Sequence, residues 1–351
     1  MERLSDDLLA LILDKFEDPN DRKSFSQVCK NWLRVEGFHR STLQVFEPDL
    51  LPNFLPRFPN LLKFQASTPI RNSLIQFLAN TCPRIQVLNL NYKETGDHRC
   101  ENVGEDDFDD EGLCDIARGY RDLRKVLLRR RSGIGNHGVV SLVGFSGNLR
   151  NLDLGFCRRV SDEALESIGG VLVDNRYGFG FLGKGYLCNA LRILNLAECD
   201  QITDCGLIYL KEMSCLEELN LAPCGKVTDI GFEMAVATFW TLKKLNMSWL
   251  IDVSHVTMVA LARNCRNLEV LDLSGCEIVS ETVFRAFASH GSLKELIWTD
   301  NEFAITGHDL EYLVFGCSTL ERTVLDKRFR VWVPLAVEER ILRRNCVLEW
   351  G

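Results

Sequence analysis

The sequence predicts an α/β fold: a helical N-terminal module over residues 2–43, then a curved solenoid of about ten repeats over residues 60–351. Three observations carry this. The motif L-x-x-L-x-L recurs along most of the chain, an amphipathic stretch comes after each copy, and the N-terminal stretch does not fit the motif.

The clearest copies begin at Asn148, Ala190, Cys215, Thr241 and Asn267, with weaker ones at Leu61, Ile85, Leu123, Leu293 and Leu320. From Leu191 the leading residues fall at 216, 242, 268, 293 and 320, steps of 25 to 27 that mark leucine-rich repeats. The fourth and sixth positions, Leu or Met, turn inward from a short strand. The third, fifth and seventh turn onto a concave face, and the eighth lies at the strand exit. The stretch after each strand, such as 254–265, has helical spacing, so each copy reads as strand then helix, and stacking builds a horseshoe.

In the N-terminal module, Leu4, Leu8, Leu9, Ile12, Leu13 and Phe16 recur at helical spacing after Ser5, an N-cap residue with Asp6 and Asp7 in the first turn. The run Asp18-Pro19-Asn20-Asp21-Arg22 breaks that helix. Phe25, Val28, Cys29 and Trp32 predict a second helix with one apolar face. So short a module cannot bury both faces, which leaves apolar surface for the solenoid or another protein.

Two insertions interrupt the repeat, near 93–112 and 170–187. The first holds seven acids between Glu101 and Glu111, a solvated run without the spacing of a calcium loop. The second holds Gly178, Gly180, Gly183 and Lys184 in a phosphate-loop spacing. After Lys184 the chain turns into the next strand rather than opening a helix, and Gly185 stands where a P-loop has Ser or Thr, so nucleotide binding is not expected. Tyr177, Phe179, Phe181 and Tyr186 make it a candidate contact loop over the concave face.

The cysteines keep step with the repeat. Cys157, Cys199, Cys224 and Cys276 lie eight residues after a leading residue, and Cys82, Cys188, Cys265 and Cys317 three before one. They read as small buried residues, and no C-x-x-C pair suggests a metal. No metal or cofactor is expected, and the six histidines are scattered without catalytic spacing, so no enzyme is expected either. A net charge of −8 argues against nucleic acid or anionic membrane as a partner. No run reaches 18 apolar residues, and acids occupy the start where a signal peptide carries basic residues, which predicts a soluble protein of the nucleus or cytoplasm.

The segment LSDDLLALILDKFEDPNDRKSFSQVCKNWLRVEGFHRSTL resembles an F-box, the helical module that docks onto the Skp-family adaptor of cullin-RING ubiquitin ligases. Within it, DR-x-S-x-S-x-VC-[KR]-x-W is similar to the corresponding segment of plant F-box proteins with leucine-rich repeats, the group of the auxin and jasmonate receptors, which have more repeats. FLPRFPNLLKFQAS looks like their junction to the first repeat. The resemblance implies a non-catalytic substrate-recognition subunit of an SCF-type E3 ligase, with a Skp-family adaptor and a cullin as partners and a protein substrate sent for proteasomal degradation. It implies adaptor contacts at Leu4, Leu8, Leu9, Ile12, Leu13, Phe16, Pro19 and Trp32.

For the substrate, Lys125, Arg129 and Arg130 cluster on one repeat, and Tyr92, Phe156, Lys244, Asn246 and Trp249 sit at related concave positions. Arginine with exposed aromatics is the composition of binding hot spots. A degron with acidic and apolar residues fits them, as does an anionic small molecule completing the surface. A scaffold acting outside a ligase, or a small-molecule-dependent receptor of the same class, is the alternative reading.

Overall fold

The computed structural model describes residues 4–93, 107–170, 190–278 and 280–351. Twelve strands form one parallel sheet in strict sequence order. They are β1 (Thr42–Val45), β2 (Lys63–Ala66), β3 (Val87–Asn89), β4 (Lys125–Leu127), β5 (Asn151–Asp153) and β6 (Ile193–Asn195), then β7 (Glu218–Asn220), β8 (Lys244–Asn246), β9 (Val270–Asp272), β10 (Glu295–Trp298), β11 (Arg322–Leu325) and β12 (Val347–Trp350). Ten of them fall on the repeats read from the sequence. β1 and β12 extend the stack beyond those repeats, β1 in register with β2 (Thr42 opposite Lys63) and β12 with β11 (Val347 opposite Arg322). Neither shows the full leucine pattern, because an end strand covers only one neighbour.

The helices are α1 (Asp6–Leu13), α2 (Pro19–Ser26) and α3 (Lys30–Phe38) at the N-terminus, then α4 (Leu51–Phe54), α5 (Asn72–Thr81), α6 (Asp110–Gly119), α7 (Asn136–Phe145) and α8 (Asp162–Ile168). They continue as α9 (Asp204–Tyr209), α10 (Asp229–Ala235), α11 (His255–Asn264), α12 (Ser280–Phe287), α13 (Gly307–Gly316) and α14 (Leu335–Arg343). In each of β3 to β9 the central residue, such as Leu194 or Leu245, is closed from solvent while its two neighbours stay at least partly open. The core runs unbroken between sheet and helices from Val45 to Cys346.

Three devices lock one repeat to the next. The first is the cysteine ladder: the Sγ of Cys157, Cys199 and Cys224 each donates to a backbone carbonyl of the preceding repeat (Leu128, Leu154, Leu196) at 3.3 Å. Burial raises these thiols, to about 12 for Cys157 and Cys224, and all are free, as packed residues should be.

The second device joins helix starts. Asp162, Asp204 and Asp229 each accept the backbone N–H and hydroxyl of the next N-cap, Thr203, Thr228 and Ser254, at 2.5 to 2.8 Å. Gly206 and Gly231 lie so close to the first two of these carboxylates that a Cβ would collide with them. In the next repeat Thr257 takes that place and donates its hydroxyl to Asp229 at 2.5 Å instead.

The third device is a turn at each strand exit. The fifth-position side chains Asn89, Asp153, Asn195, Asn220, Asn246 and Asp272 accept the N–H two residues on, at 2.8 to 3.2 Å. From β4 to β10, save after β7 where Pro223 holds the place, the eighth residue enters the left-handed region: Arg130, Phe156, Glu198, Trp249 and Asp300 have φ between 55° and 65°, and Gly275 66°. The strain of about 1–3 kcal/mol per residue is held because those N–H groups keep pairing with the next repeat, as in Phe156 N to Ala197 O. Strand alternation alone predicts a solvated polar ladder at the fifth position. Its carbonyl or carboxylate oxygen is in fact occupied by the turn.

Candidate partner-binding surfaces

The N-terminal module is three helices rather than two. The second expected helix is divided: α2 ends at Ser26 with Gln27 as its C-cap, and the extended backbone of Cys29 (φ −164°, ψ 172°) is the N-cap position of α3. The break lets Phe25 of α2 and Trp32 of α3 face each other with ring centroids 4.4 Å apart, and Phe16 meets Phe25 edge-on at 5.9 Å. The expected cap of α1 forms: Ser5 Oγ accepts Leu8 N–H. Leu9, Leu13, Phe25 and Val35 make a small closed core, with Ile12, Phe16 and Trp32 packed on its margin.

That core divides the residues expected to touch an adaptor. Leu9 and Leu13 are fully buried within the module and cannot meet a partner without opening it. Leu4 and Leu8 are about half exposed, and Pro19 is exposed at the start of α2. Leu11, 60% exposed, and Val28, 58% exposed, join them as an apolar surface that the helical spacing does not single out. Within the module, buried Glu36 accepts at Oε1 from Arg40 Nε and Nη2 at 2.9 and 2.6 Å and from Arg22 Nε at 3.3 Å, and the join to the solenoid is made by Asn60 Nδ2 donating to Phe38 O at 3.0 Å. Arg40 in turn lies over Phe58, ahead of β2.

On the solenoid, four of the expected residues come together at the exits of β3 to β5. The guanidinium carbons of Arg129 and Arg130 lie 4.9 and 4.6 Å from the Phe156 ring centroid. Tyr92 N–H donates to Arg129 O, and Lys125 starts the same repeat. Burial pushes the Asp153 carboxyl up from its ordinary value, against the pull of the Gly155 N–H and of Arg129.

The hot-spot composition does not pick out Arg131, although it lies eight residues after Leu123, the ladder position that cysteine takes elsewhere. It is fully buried, donating to Leu90 O, Thr68 O and Asp107 Oδ1 at 2.5, 3.0 and 2.6 Å, with Tyr92 and Phe108 against it.

Lys244, Asn246 and Trp249 stand apart. Lys244 Nζ pairs with Glu218 at 2.8 Å, which raises its pKa, and Asn246 Oδ1 takes Ser248 N–H and hydroxyl. Trp249 is 51% exposed, its indole lying against Gly275. Tyr177, Phe179, Phe181 and Tyr186 lie outside the described residues, as do the glycine run and the acids up to Asp106.

Charge divides the same surface. From β6 onward the basic residues near the strand starts are paired: Lys243 with Glu217, Lys294 with Glu269, and Arg322 with both Glu295 and Glu349. At β4 and β5, Arg124, Lys125, Arg129 and Arg150 have no such ion pair among the described residues. No group of three or more potential metal ligands, and no helix long and apolar enough to cross a membrane, occurs among the described residues.

This is a leucine-rich-repeat solenoid with a three-helix module fixed to its first repeat. Family models agree: the F-box matches residues 1–42 and the leucine-rich repeat matches 147–169, 188–211 and 264–281. Coronatine-insensitive protein homolog 1a of rice, in both the indica and japonica subspecies of Oryza sativa, is 24% identical over 276 residues, 78% of this chain. The chain spans only 36% of the length of those relatives.

Among solved structures, a chain of the Rad7 and Elc1 complex in yeast aligns over 98% of this chain and 92% of its own length, at TM-score 0.58 and 14% identity. The TLR13–ssRNA13 complex aligns over 84% and 40%, at TM-score 0.50 and 16% identity. Those two likenesses concern the fold alone. The chain carries an F-box joined to leucine-rich repeats, and its likeness to the rice proteins is consistent with a plant-type F-box protein of this layout.

Proposed function

We propose that the chain is the substrate-recognition subunit of an SCF-type ubiquitin ligase and performs no chemistry itself. The observation that carries this reading is the division of the F-box: its own core is closed by Leu9, Leu13, Phe25 and Val35, yet Leu4, Leu8, Leu11 and Val28 remain exposed. Apolar surface that a module does not need for its own folding suits a partner, here a Skp-family adaptor that brings the cullin. The module is joined to the solenoid through the Asn60–Phe38 hydrogen bond and the Arg40–Phe58 contact, so a substrate held on the concave face is tethered near the ligase, at high effective concentration. The basic and aromatic cluster of Lys125, Arg129, Arg130 and Phe156 is the substrate surface in this reading.

Leu8→Asp with Leu11→Asp should abolish co-purification with the adaptor, each charge costing about 2 kcal/mol, or about thirtyfold, in a desolvated contact. The melting temperature should stay unchanged, because both side chains are already solvated in the free chain. Normal adaptor binding by that variant would overturn the reading.

A further inference from the structure

The left-handed row at the strand exits holds two features of opposite character. At the exit of β5, Phe156 supports the Arg129 guanidinium at 4.9 Å, and Arg129 makes no ion pair among the described residues, the Asp153 carboxyl beside it feeling its charge without a direct contact. Its stem runs beside Gly155, where a Cβ would come 3.5 Å from Arg129 Cγ. A planar guanidinium stacked on a ring keeps its N–H edges free for a bidentate anion. Arg130 lies over the same ring at 4.6 Å and Lys125 begins the same repeat, so positive charge gathers here.

At β8, Trp249 presents an indole 51% exposed. It rests on Gly275, where a Cβ would fall 2.5 Å from the ring and where φ is +66°. A side chain there would push the indole off its seat, and glycine leaves the room it needs. Asp252, Glu277 and Asp300 are exposed in the loops and row beside this repeat and the next two, with no ion pair among the described residues. An exposed indole among unpaired acids favours a cation on its face.

The two features belong to one row, three strands apart, which at 4.7–4.9 Å per strand is about 14 Å, the reach of about four residues of extended chain. We propose that this row binds an extended segment of the substrate in which a phosphorylated or acidic residue lies on the Arg129–Phe156 stack and a lysine or arginine about four residues away lies on Trp249. The proposal rests on the reading of the repeats as the substrate surface, but not on the F-box. A polyanion such as nucleic acid would meet repulsion at the Trp249 end, and a small anion would leave that end unused.

The test uses the purified full chain and fluorescein-labelled ten-residue peptides of neutral polar background. They carry phosphoserine or aspartate, and lysine one or four residues away, in both chain orders. Controls replace the lysine by norleucine or leave the serine unmodified, and inorganic phosphate is the competitor. Fluorescence anisotropy should show saturable binding at least tenfold tighter for the four-residue spacing than for any peptide lacking either charge, weakening as salt rises. Arg129→Ser and Trp249→Ala should each lose about tenfold, and Trp249→Phe should keep most of the affinity.

Binding indifferent to spacing, equal binding of the norleucine peptide, or displacement by phosphate at the peptide's own concentration range would overturn the proposal. So would the absence of saturable binding. Adaptor capture, which depends on Leu8 and Leu11, is a separate readout, so failure here and failure of the ligase reading are told apart.

Discussion

Arg131→Met replaces a buried guanidinium by an apolar side chain of similar length at a position where neighbouring repeats carry cysteine. In the native chain Arg131 links three repeats through Thr68 O, Leu90 O and Asp107, and the Asp107 side chain is only 4% exposed. Methionine fills most of the space and donates nothing, so Asp107 becomes a buried carboxylate without its cation. Removing one member of a buried pair costs about 3–5 kcal/mol, and an orphaned carbonyl adds about 1–3 kcal/mol, so a loss of at least about 4 kcal/mol is expected. Asp107→Leu combined with Arg131→Met removes both charges and should recover at least about 2 kcal/mol of that loss. Urea unfolding monitored by circular dichroism, with native-state proteolysis to locate the opened repeats, measures the cycle. A cost below about 1 kcal/mol for Arg131→Met, or additive single changes, would refute the assignment of Arg131 as the fastener of β2 to β4.

Three further outcomes are expected. Glu36→Ala strips the shared acceptor from Arg22 and Arg40 and should destabilise the F-box module by about 3 kcal/mol, read as early proteolysis before residue 60 while the later repeats persist. His290 is held neutral, its pKa lowered chiefly by burial, with Nδ1 accepting Leu293 N–H and Nε2 facing Cys265 O. The unfolded chain therefore binds the proton first, and stability present above the unfolded pKa of about 6.5 should fall as pH drops below it, a dependence that His290→Gln should flatten. A thiol reagent at neutral pH should label exposed Cys29, Cys205 and Cys215 well before buried Cys157, Cys224 or Cys276, whose thiols burial raises to about 12, and mass mapping of the adducts checks the order.

The solenoid was legible in one sequence because its determinants are local and repeated. A leucine at the fourth or sixth position must point inward from any strand, so alignment alone assigns Leu152, Leu194 and Leu245 to the core, and a ladder cysteine every repeat has no other economical reading. The Ser5 cap is likewise a contact three residues long. Where a residue's fate depends on what a distant segment supplies, the pattern is silent. Leu8 and Leu9 are neighbours of equal hydrophobicity, and only the placement of Phe25 and Val35 decides that Leu9 closes a core while Leu8 faces outward. Of three consecutive arginines, Arg131 is buried by carbonyls and a carboxylate contributed from 24 to 63 residues away, whereas Arg129 is left on Phe156 at the rim. Charge identity is written in the chain, but whether a charge is cancelled is not: Lys244 meets Glu218 across the sheet, Arg129 forms no ion pair among the described residues, and that difference arises from strand register, which brings together residues the sequence holds a full repeat apart.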